Sequence, residues 1–248
     1  MIHGGLRSGA LPLLVLLSVA LSSGVQGCSA GNRSSLDASS LATRSVEAAR
    51  RGQRLALDER ERWLLKQLFG ASLDVERVTL VHGAIMSEGA PRTVENEIHL
   101  PKDKPVEDPT FRRSMKHVVL LAHEATHVWQ FQTRGLVYAA DALANQGHAY
   151  ATTGDRSQAY RYALDETTSF AALNAEQQGR LVEDYVRLVL YGAPPRGLTN
   201  ADVLGLETFR ARVEAELKAH VNPAFVSLEG AVARAIMSGE SPPPATAP

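Results

Sequence analysis

The stretch VVLLAHEATHVWQ, residues 118–130, decides the fold of this chain. Five apolar residues precede the pattern His-Glu-x-x-His, so the segment predicts a buried helix. Residues four apart lie one turn apart on the same face of a helix, so His123 and His127 can hold one metal ion between them. Two buried imidazoles without partners are costly, and an ion would satisfy both. The alternative is a pair of core histidines that hydrogen-bond to backbone or carboxylate groups.

The residue after the first histidine suits catalysis. Glu124 leaves the helix about 100° away from His123, near enough to take a proton from a water molecule that the ion activates. Zinc accepts three protein ligands and leaves one position for water, so one Zn²⁺ per chain is predicted. Glu124 would act first as general base and then as general acid. Two imidazoles and a carboxylate also accept other divalent ions.

The third ligand must come from another part of the chain. Glu176 is the first candidate because it lies near the start of a predicted helix that begins near Ser169 or Asn174 and ends at Tyr191. A carboxylate at that place can also simply complement the helix dipole. Glu183 and Asp184, about two turns further on, either orient ligands or lie in solvent. Other candidate ligands between the two helices are His148, Asp141, Asp165 and Glu166.

The remaining pattern predicts an α+β fold, mostly helical, with a small β-sheet and the His-Glu-x-x-His helix at its centre. Further helices are predicted over 55–69, over 136–151 and from 199 or 200 to 218. Strands are predicted over 78–83, ending in a turn, and over 97–101. Ser114 is expected to cap the central helix, which ends at Gly135.

The N-terminus is expected to be a lipoprotein signal peptide over residues 1–27. Residues 11–25 form an apolar stretch too short and interrupted to span a bilayer. Gly27 and Cys28 resemble the bacterial lipobox, and Cys28 is the single cysteine of the chain. Lipidation there would attach the protein to a membrane of the bacterial cell envelope. Ser29, the residue after Cys28, is typical of lipoproteins of the outer membrane. The alternative is an ordinary signal peptide with a stray cysteine.

Composition bounds the domain organisation and the partners. Residues 28–45 are predicted to be a flexible tether, 46–238 the folded domain and 239–248 a disordered Pro-rich tail. The chain carries 26 Lys and Arg against 27 Asp and Glu, and 6% of its residues are aromatic, so no nucleic acid partner is expected. A single cysteine excludes an internal disulfide framework. The oligomeric state is left open.

The motifs resemble the zincin metallopeptidases of the gluzincin type. More narrowly, residues 123–130 are similar to a group of bacterial zincin-like proteins encoded near Rhs and Vgr secretion systems. The resemblance runs across residues 78–191 and rests on a strand ending His82-Gly83, on Asn96-Glu97-Ile98, Tyr160-Arg161-Tyr162, Glu176-Gln177-Gln178 and Glu183-Asp184-Tyr185. It implies zinc held by His123, His127 and Glu176. In better-known gluzincins an Asp four residues after the third ligand orients a histidine, whereas Arg180 stands there in this chain, so the group that orients His123 is open.

The resemblance also suggests where a substrate lies. In zincins a strand before the active-site helix pairs with extended substrate, and Glu97–Leu100 would take that role unless it is simply a core strand. Tyr160, Tyr162 and His148 are candidates for contacting the substrate or the oxyanion.

The sequence therefore favours a zinc-dependent hydrolase, most simply a peptidase acting on a peptide or protein substrate. The intact Glu124 supports this hypothesis, since a purely structural site has no use for that carboxylate. The alternative is a non-enzymatic envelope lipoprotein whose zincin-like domain binds a protein partner. A secreted effector is a third hypothesis, which the lipobox argues against.

Overall fold

The computed structural model describes residues 50–87, 89–135, 155–165 and 167–238. Their fold is α+β and mostly helical, which confirms the predicted class. The strands are β1 (Gln53–Ala56), β2 (Thr79–His82), β3 (Arg92–Val94) and β4 (Glu97–Leu100). The helices are α1 (Glu59–Phe69), α2 (Pro109–Arg113), α3 (Met115–Arg134), α4 (Ala175–Tyr191), α5 (Ala201–Leu204), α6 (Leu206–His220) and α7 (Leu228–Ser238).

The four strands form one mixed sheet in the order β1-β2-β4-β3. β2 and β4 pair in parallel, and the two outer pairs are antiparallel. β3 and β4 form a hairpin whose turn includes Glu95 at a φ of 56°, in the left-handed region. The assignment of Glu97–Leu100 as a substrate-pairing edge is therefore wrong, because β4 lies between β2 and β3. The edge beside the central helix is β3, which the sequence analysis missed.

The predicted first helix divides into a strand and a shorter helix. Leu55 belongs to β1, and α1 begins only at Glu59. Asp58 decides the start, because its side chain accepts from the backbone N–H of Glu61 while the Glu61 side chain accepts from the backbone N–H of Asp58. This reciprocal capping box satisfies two backbone donors that a longer helix would have to use internally.

The central helix α3 follows the prediction closely. Ser114 caps it by accepting from the backbone N–H of His117, and it ends at Gly135, whose φ is 65°. Apart from Leu120, every residue over 117–130 is buried. The helix packs against α1, α4, β3 and β4, so its polar residues also lie in the interior.

Helix α4 begins after Asn174, the later of the two predicted starts, because Asn174 and Gln177 form a second capping box there. The last predicted helix is broken at Gly205, which has a φ of 75° and separates α5 from α6. α7 was not predicted.

The core joins the sheet to α3 and α4, with Leu80 and Ile98 packing in the same cluster as Leu121 and Leu181. Among the described residues, no helix has both the length and the apolar character needed to cross a bilayer. The predicted signal peptide, tether, tail and helix over 136–151 lie outside the described residues.

Candidate metal centre

The two histidines of α3 stand one turn apart and face α4. Their ring centroids are 5.1 Å apart with an angle of 75° between the planes. Both side chains are buried, at 5% exposure for His123 and 7% for His127. The spacing follows from helix geometry alone, since positions i and i+4 share a face.

Glu176 reaches the two histidines from the first turn of α4. Its Oε2 atom lies 3.5 Å from Nε2 of His123 and 3.5 Å from Nε2 of His127. The capping box at Asn174 fixes where α4 begins and therefore which residue of its first turn faces α3. The structure thus brings together the three residues that the sequence analysis selected as ligands.

The donor set fits a zinc ion. One ligand atom from each of His123, His127 and Glu176 lies within 4.8 Å of the other two. Ligand atoms of a tetrahedral site with bonds of about 2.1 Å are separated by about 3.4 Å, close to the distances seen here. Imidazole nitrogen and carboxylate oxygen are both common zinc ligands, and three of them leave a position for water.

The electrostatics of the cluster favour positive charge between these side chains. Burial lowers the pKa of His123, but the carboxylates of Glu176, Glu183 and Glu124 outweigh burial and raise it to about 10. Burial raises the pKa of Glu176, but the two histidines outweigh it and hold that pKa well below its usual range. A cation placed here would meet a carboxylate that is already ionised and would displace protons from the imidazoles.

Glu124 is held beside the cluster by the edge strand. It is 6% exposed, and its Oε2 atom accepts a hydrogen bond of 2.7 Å from Oγ1 of Thr93 in β3. The carboxylate that follows the first ligand is therefore fixed at the junction of α3 and the sheet edge. The contact between Thr93 and Glu124 was not predicted, because the local sequence around Thr93 does not show that β3 packs against α3.

Glu183 is the carboxylate that faces Nδ1 of His123. Its Oε2 atom lies 3.2 Å from Nδ1 of His123, although the angle is not that of a linear hydrogen bond. Arg180 holds the other carboxylate oxygen at 2.7 Å, and Arg187 lies 3.3 Å from it. Burial raises the pKa of Glu183, but His123 and the two guanidinium groups outweigh burial and lower it. The orienting carboxylate stands seven residues after Glu176 instead of four, which is still the same face of α4.

Asp184 has a different role from its neighbour. It is fully buried and accepts from the backbone N–H groups of Arg196 and Gly197 and from the hydroxyl of Tyr162. Asp184 therefore anchors the segment after α4 and does not lie in solvent. Tyr162 is 3% exposed and commits its hydroxyl to this contact, so the structure does not bring that group to the cluster of His123, His127 and Glu176.

Tyr160 is the tyrosine that does reach the cluster. Its ring centroid lies 5.8 Å from that of His123, and the Glu176 carboxylate is near enough to influence its hydroxyl. The guanidinium of Arg180 lies over the ring, 5.3 Å from its centroid. Burial, followed by the Glu176 and Glu124 carboxylates, raises the pKa of Tyr160, so the hydroxyl keeps its proton near neutral pH.

Of the other candidate ligands, only Asp165 lies within the described residues. Asp165 is exposed, and its carboxylate accepts from the backbone and hydroxyl groups of Thr167 and Thr168. It forms a local turn and takes no part in the cluster. Asp141, His148 and Glu166 lie outside the described residues.

Gly179 is a further residue that the sequence analysis missed. It lies on the face of α4 between Glu176 and Glu183, against the ring of His123. A Cβ atom at this position would lie 3.1 Å from Cε1 and Nε2 and 3.2 Å from Nδ1 of that ring. These nearly equal distances place it over the ring face, so a larger residue would require the ring or the helix to shift by a few tenths of an ångström. The sequence does place this glycine inside a predicted helix, and a glycine at such a position can indicate close packing against a neighbouring element.

Comparison with known proteins gives one structural likeness. No protein-family model and no curated protein matches this chain. The effector domain of Pseudomonas aeruginosa VgrG2b is similar in structure, with a TM-score of 0.50 and 23% sequence identity. The match covers 84% of this chain and 94% of that domain. At this identity the likeness shows a shared fold.

Proposed function

We propose that this protein is a zinc-dependent hydrolase of the zincin type, and specifically a peptidase. The observation that carries the proposal is the buried cluster of His123, His127 and Glu176 with the carboxylate of Glu124 beside it. Structural zinc sites usually fill all four positions with protein ligands, whereas three ligands leave a position for a water molecule that Glu124 can deprotonate.

The chemistry divides between the ion and the side chains around it. A bound zinc ion supplies Lewis acidity and lowers the pKa of water. Glu124 takes a proton from the attacking water and later delivers it to the leaving amine. Thr93 donates to Glu124 and so limits the directions in which that carboxylate can turn. Tyr160, which keeps its proton, is a donor for the oxyanion of the tetrahedral intermediate.

The position of β3 supports an extended peptide as substrate. β3 is the edge strand beside α3, and its residue Thr93 contacts Glu124 directly. A peptide that pairs with this edge would run past the cluster, with backbone hydrogen bonds providing affinity. We therefore assign to β3 the role that the sequence analysis gave to β4.

The proposed location of the enzyme is the bacterial cell envelope, through a lipid on Cys28. Two or more acyl chains on one cysteine would give stable membrane attachment. Fractionation after labelling with a fatty acid tests this proposal, because Cys28→Ser should lose both the label and the membrane association. Label in the variant, or a soluble wild-type protein, would contradict it.

Metal content and peptide cleavage test the proposed function together. Purified protein should carry about one zinc per chain, which His123→Ala and Glu176→Ala should lose. Glu124→Gln should keep the zinc and lose cleavage of a denatured protein substrate by a factor of at least about 100. A wild-type protein that takes up no zinc would overturn the metal site. Cleavage that survives in Glu124→Gln would overturn the mechanism, and zinc binding without any hydrolysis would favour the partner-binding alternative.

A further inference from the structure

Two buried glutamines connect His127 to the backbone of the segment before α4. Gln130 is 1% exposed and Gln178 is fully buried. Oε1 of Gln130 lies 2.8 Å from Nδ1 of His127, and Nε2 of Gln130 donates to Oε1 of Gln178 at 2.8 Å. We call His127, Gln130 and Gln178 with their hydrogen bonds the amide relay.

The backbone carbonyl groups at the far end of the amide relay fix the orientation of both glutamine amides. Nε2 of Gln178 lies 2.9 Å from the carbonyl oxygen of Phe170 and 3.0 Å from that of Leu173. Nε2 of Gln130 lies 3.1 Å from the carbonyl oxygen of Ala175. Backbone carbonyl groups only accept hydrogen bonds, so the amide nitrogens, which are donors, must face them. Each amide then has one possible orientation.

The orientation of the two amides determines which ring nitrogen of His127 carries the hydrogen. Because Gln178 turns its nitrogen to the carbonyls, its oxygen accepts from Gln130. Gln130 must then turn its own oxygen towards His127, and an oxygen there can only accept. Nδ1 of His127 therefore carries a hydrogen, and in the neutral ring Nε2, on the side of Glu176, is the unprotonated nitrogen.

We propose that Gln130 and Gln178 are positioning residues that fix the tautomer and ring orientation of His127 for metal binding. This inference rests on the proposed metal site. It accounts for two glutamines that the sequence analysis met only as parts of motifs, the last residue of His-Val-Trp-Gln and the last of Glu-Gln-Gln. Neither touches the substrate or the reacting atoms.

The two histidines are thus oriented by different chemistry. The carboxylate of Glu183 faces Nδ1 of His123, whereas a neutral amide faces Nδ1 of His127. A carboxylate increases the basicity of a ligating imidazole, while an amide orients the ring without adding charge. The relay therefore fixes a ligand without adding a further negative charge to a cluster that already holds Glu124, Glu176 and Glu183.

The test replaces one amide with a side chain of similar length that cannot accept the hydrogen bond. Gln130→Met should weaken zinc binding by about 10- to 100-fold, measured by competition with a chelator. The absorption spectrum of the cobalt-substituted protein should change as well, because it reports the geometry of the ligands. Gln178→Met should give a smaller loss in the same direction, and it decides the question if Gln130→Met does not fold.

Gln132 offers a matched control on the same helix. Its side chain also makes three hydrogen bonds, with the backbone N–H and carbonyl of Asp74 and with the side chain of Asn96. Gln132→Met should lower the unfolding temperature of the metal-free protein but leave zinc affinity within about threefold of wild type and the cobalt spectrum unchanged. Equal zinc affinity in wild type and the relay variants would overturn this inference alone. A wild-type protein that binds no zinc would instead overturn the proposed function.

Discussion

Gly179 lets α4 approach the ring of His123 more closely than any larger residue would. A Cβ atom there would lie 3.1 Å from two ring atoms, tighter than ordinary van der Waals contact. Glycine is also less favourable than alanine inside a helix by about 1 kcal/mol. Helix stability therefore favours alanine at this position, whereas the close approach of α4 to His123 favours glycine.

Gly179→Ala should separate the effect on zinc affinity from the effect on the free energy of unfolding. We expect zinc binding to weaken on the order of tenfold, because the added methyl group displaces Nε2 of His123 from its place beside Glu176. The free energy of unfolding of the metal-free protein should change by less than about 1 kcal/mol, since the gain in helix propensity offsets the strain. Chelator competition and thermal unfolding measure the two quantities.

Gly230→Ala is the control for this substitution. It changes a glycine of α7, where the nearest atom to an added Cβ is Oγ of Ser227 at 3.1 Å. Zinc affinity should not respond to it. If Gly179→Ala binds zinc as tightly as wild type, the ring of His123 has room to move and Gly179 does not set its position.

At the scale of elements, Glu61 ties α1 to the central helix. Its carboxylate accepts from the backbone N–H of Asp58 in the capping box and from Nε of Arg112 in α2. Nε2 of His117, in the first turn of α3, lies 2.6 Å from the same carboxylate. Glu61 is 3% exposed, so three elements meet at one buried charge.

Glu61→Gln should destabilise the protein by about 2 to 3 kcal/mol at pH 7, because it leaves the guanidinium of Arg112 without its carboxylate. Urea unfolding measures the change. Glu59→Gln is the matched control, since Glu59 is an exposed acid in the first turn of the same helix. A loss equal to that of the control would show that the buried charge is not important.

The pH dependence of this effect has a definite sign. Burial raises the pKa of Glu61, but His117 and Arg112 outweigh burial and lower it below 4.5. A carboxyl group with a lowered pKa stabilises the fold above its unfolded pKa, and the contribution is lost as the pH falls through the folded pKa. The stability gap between wild type and Glu61→Gln should therefore shrink below pH about 4.5. If the difference in stability between wild type and Glu61→Gln is the same at neutral and at acid pH, the pKa of Glu61 is not lowered in the folded protein.

At the scale of the whole molecule, the candidate site is the place where α3, α4 and β3 meet. α3 contributes His123, Glu124 and His127, α4 contributes Glu176, and β3 contributes Thr93. An ion shared by His123, His127 and Glu176 would join α3 to α4 across the core. Metal binding and global stability should therefore be coupled.

Zinc should raise the unfolding temperature of the metal-free protein. At a free zinc concentration of 100 times the Kd, binding stabilises the folded state by about 2.7 kcal/mol. For a domain of this size that corresponds to roughly 5 to 10 °C, measurable by calorimetry. Glu176→Ala should show almost no shift, and a shift equal to that of wild type would mean that the zinc binds elsewhere.

Features that depend on residues within one or two turns were predictable from the sequence. The spacing of His123 and His127, the cap at Ser114 and the stop at Gly135 are local, because backbone hydrogen bonds set the geometry of a helix. The start of α1 was also a local feature, but a run of apolar residues from Leu55 concealed the capping box at Asp58.

What only the tertiary structure decided are contacts between elements that are distant in sequence. Glu176 was one of several candidates until α4 was seen against α3, and Glu183 could equally have faced solvent. The hydrogen bond from Thr93 to Glu124 depends on β3 being the edge strand, which follows from the strand order and not from the composition of β3. The sequence by itself determined which helix presents two imidazoles and a carboxylate, since that depends on helical periodicity. The approach of Glu176 to the two histidines, the carboxylate beside His123 and the identity of the edge strand depended on how buried surfaces pack, and periodicity carries no information about that packing.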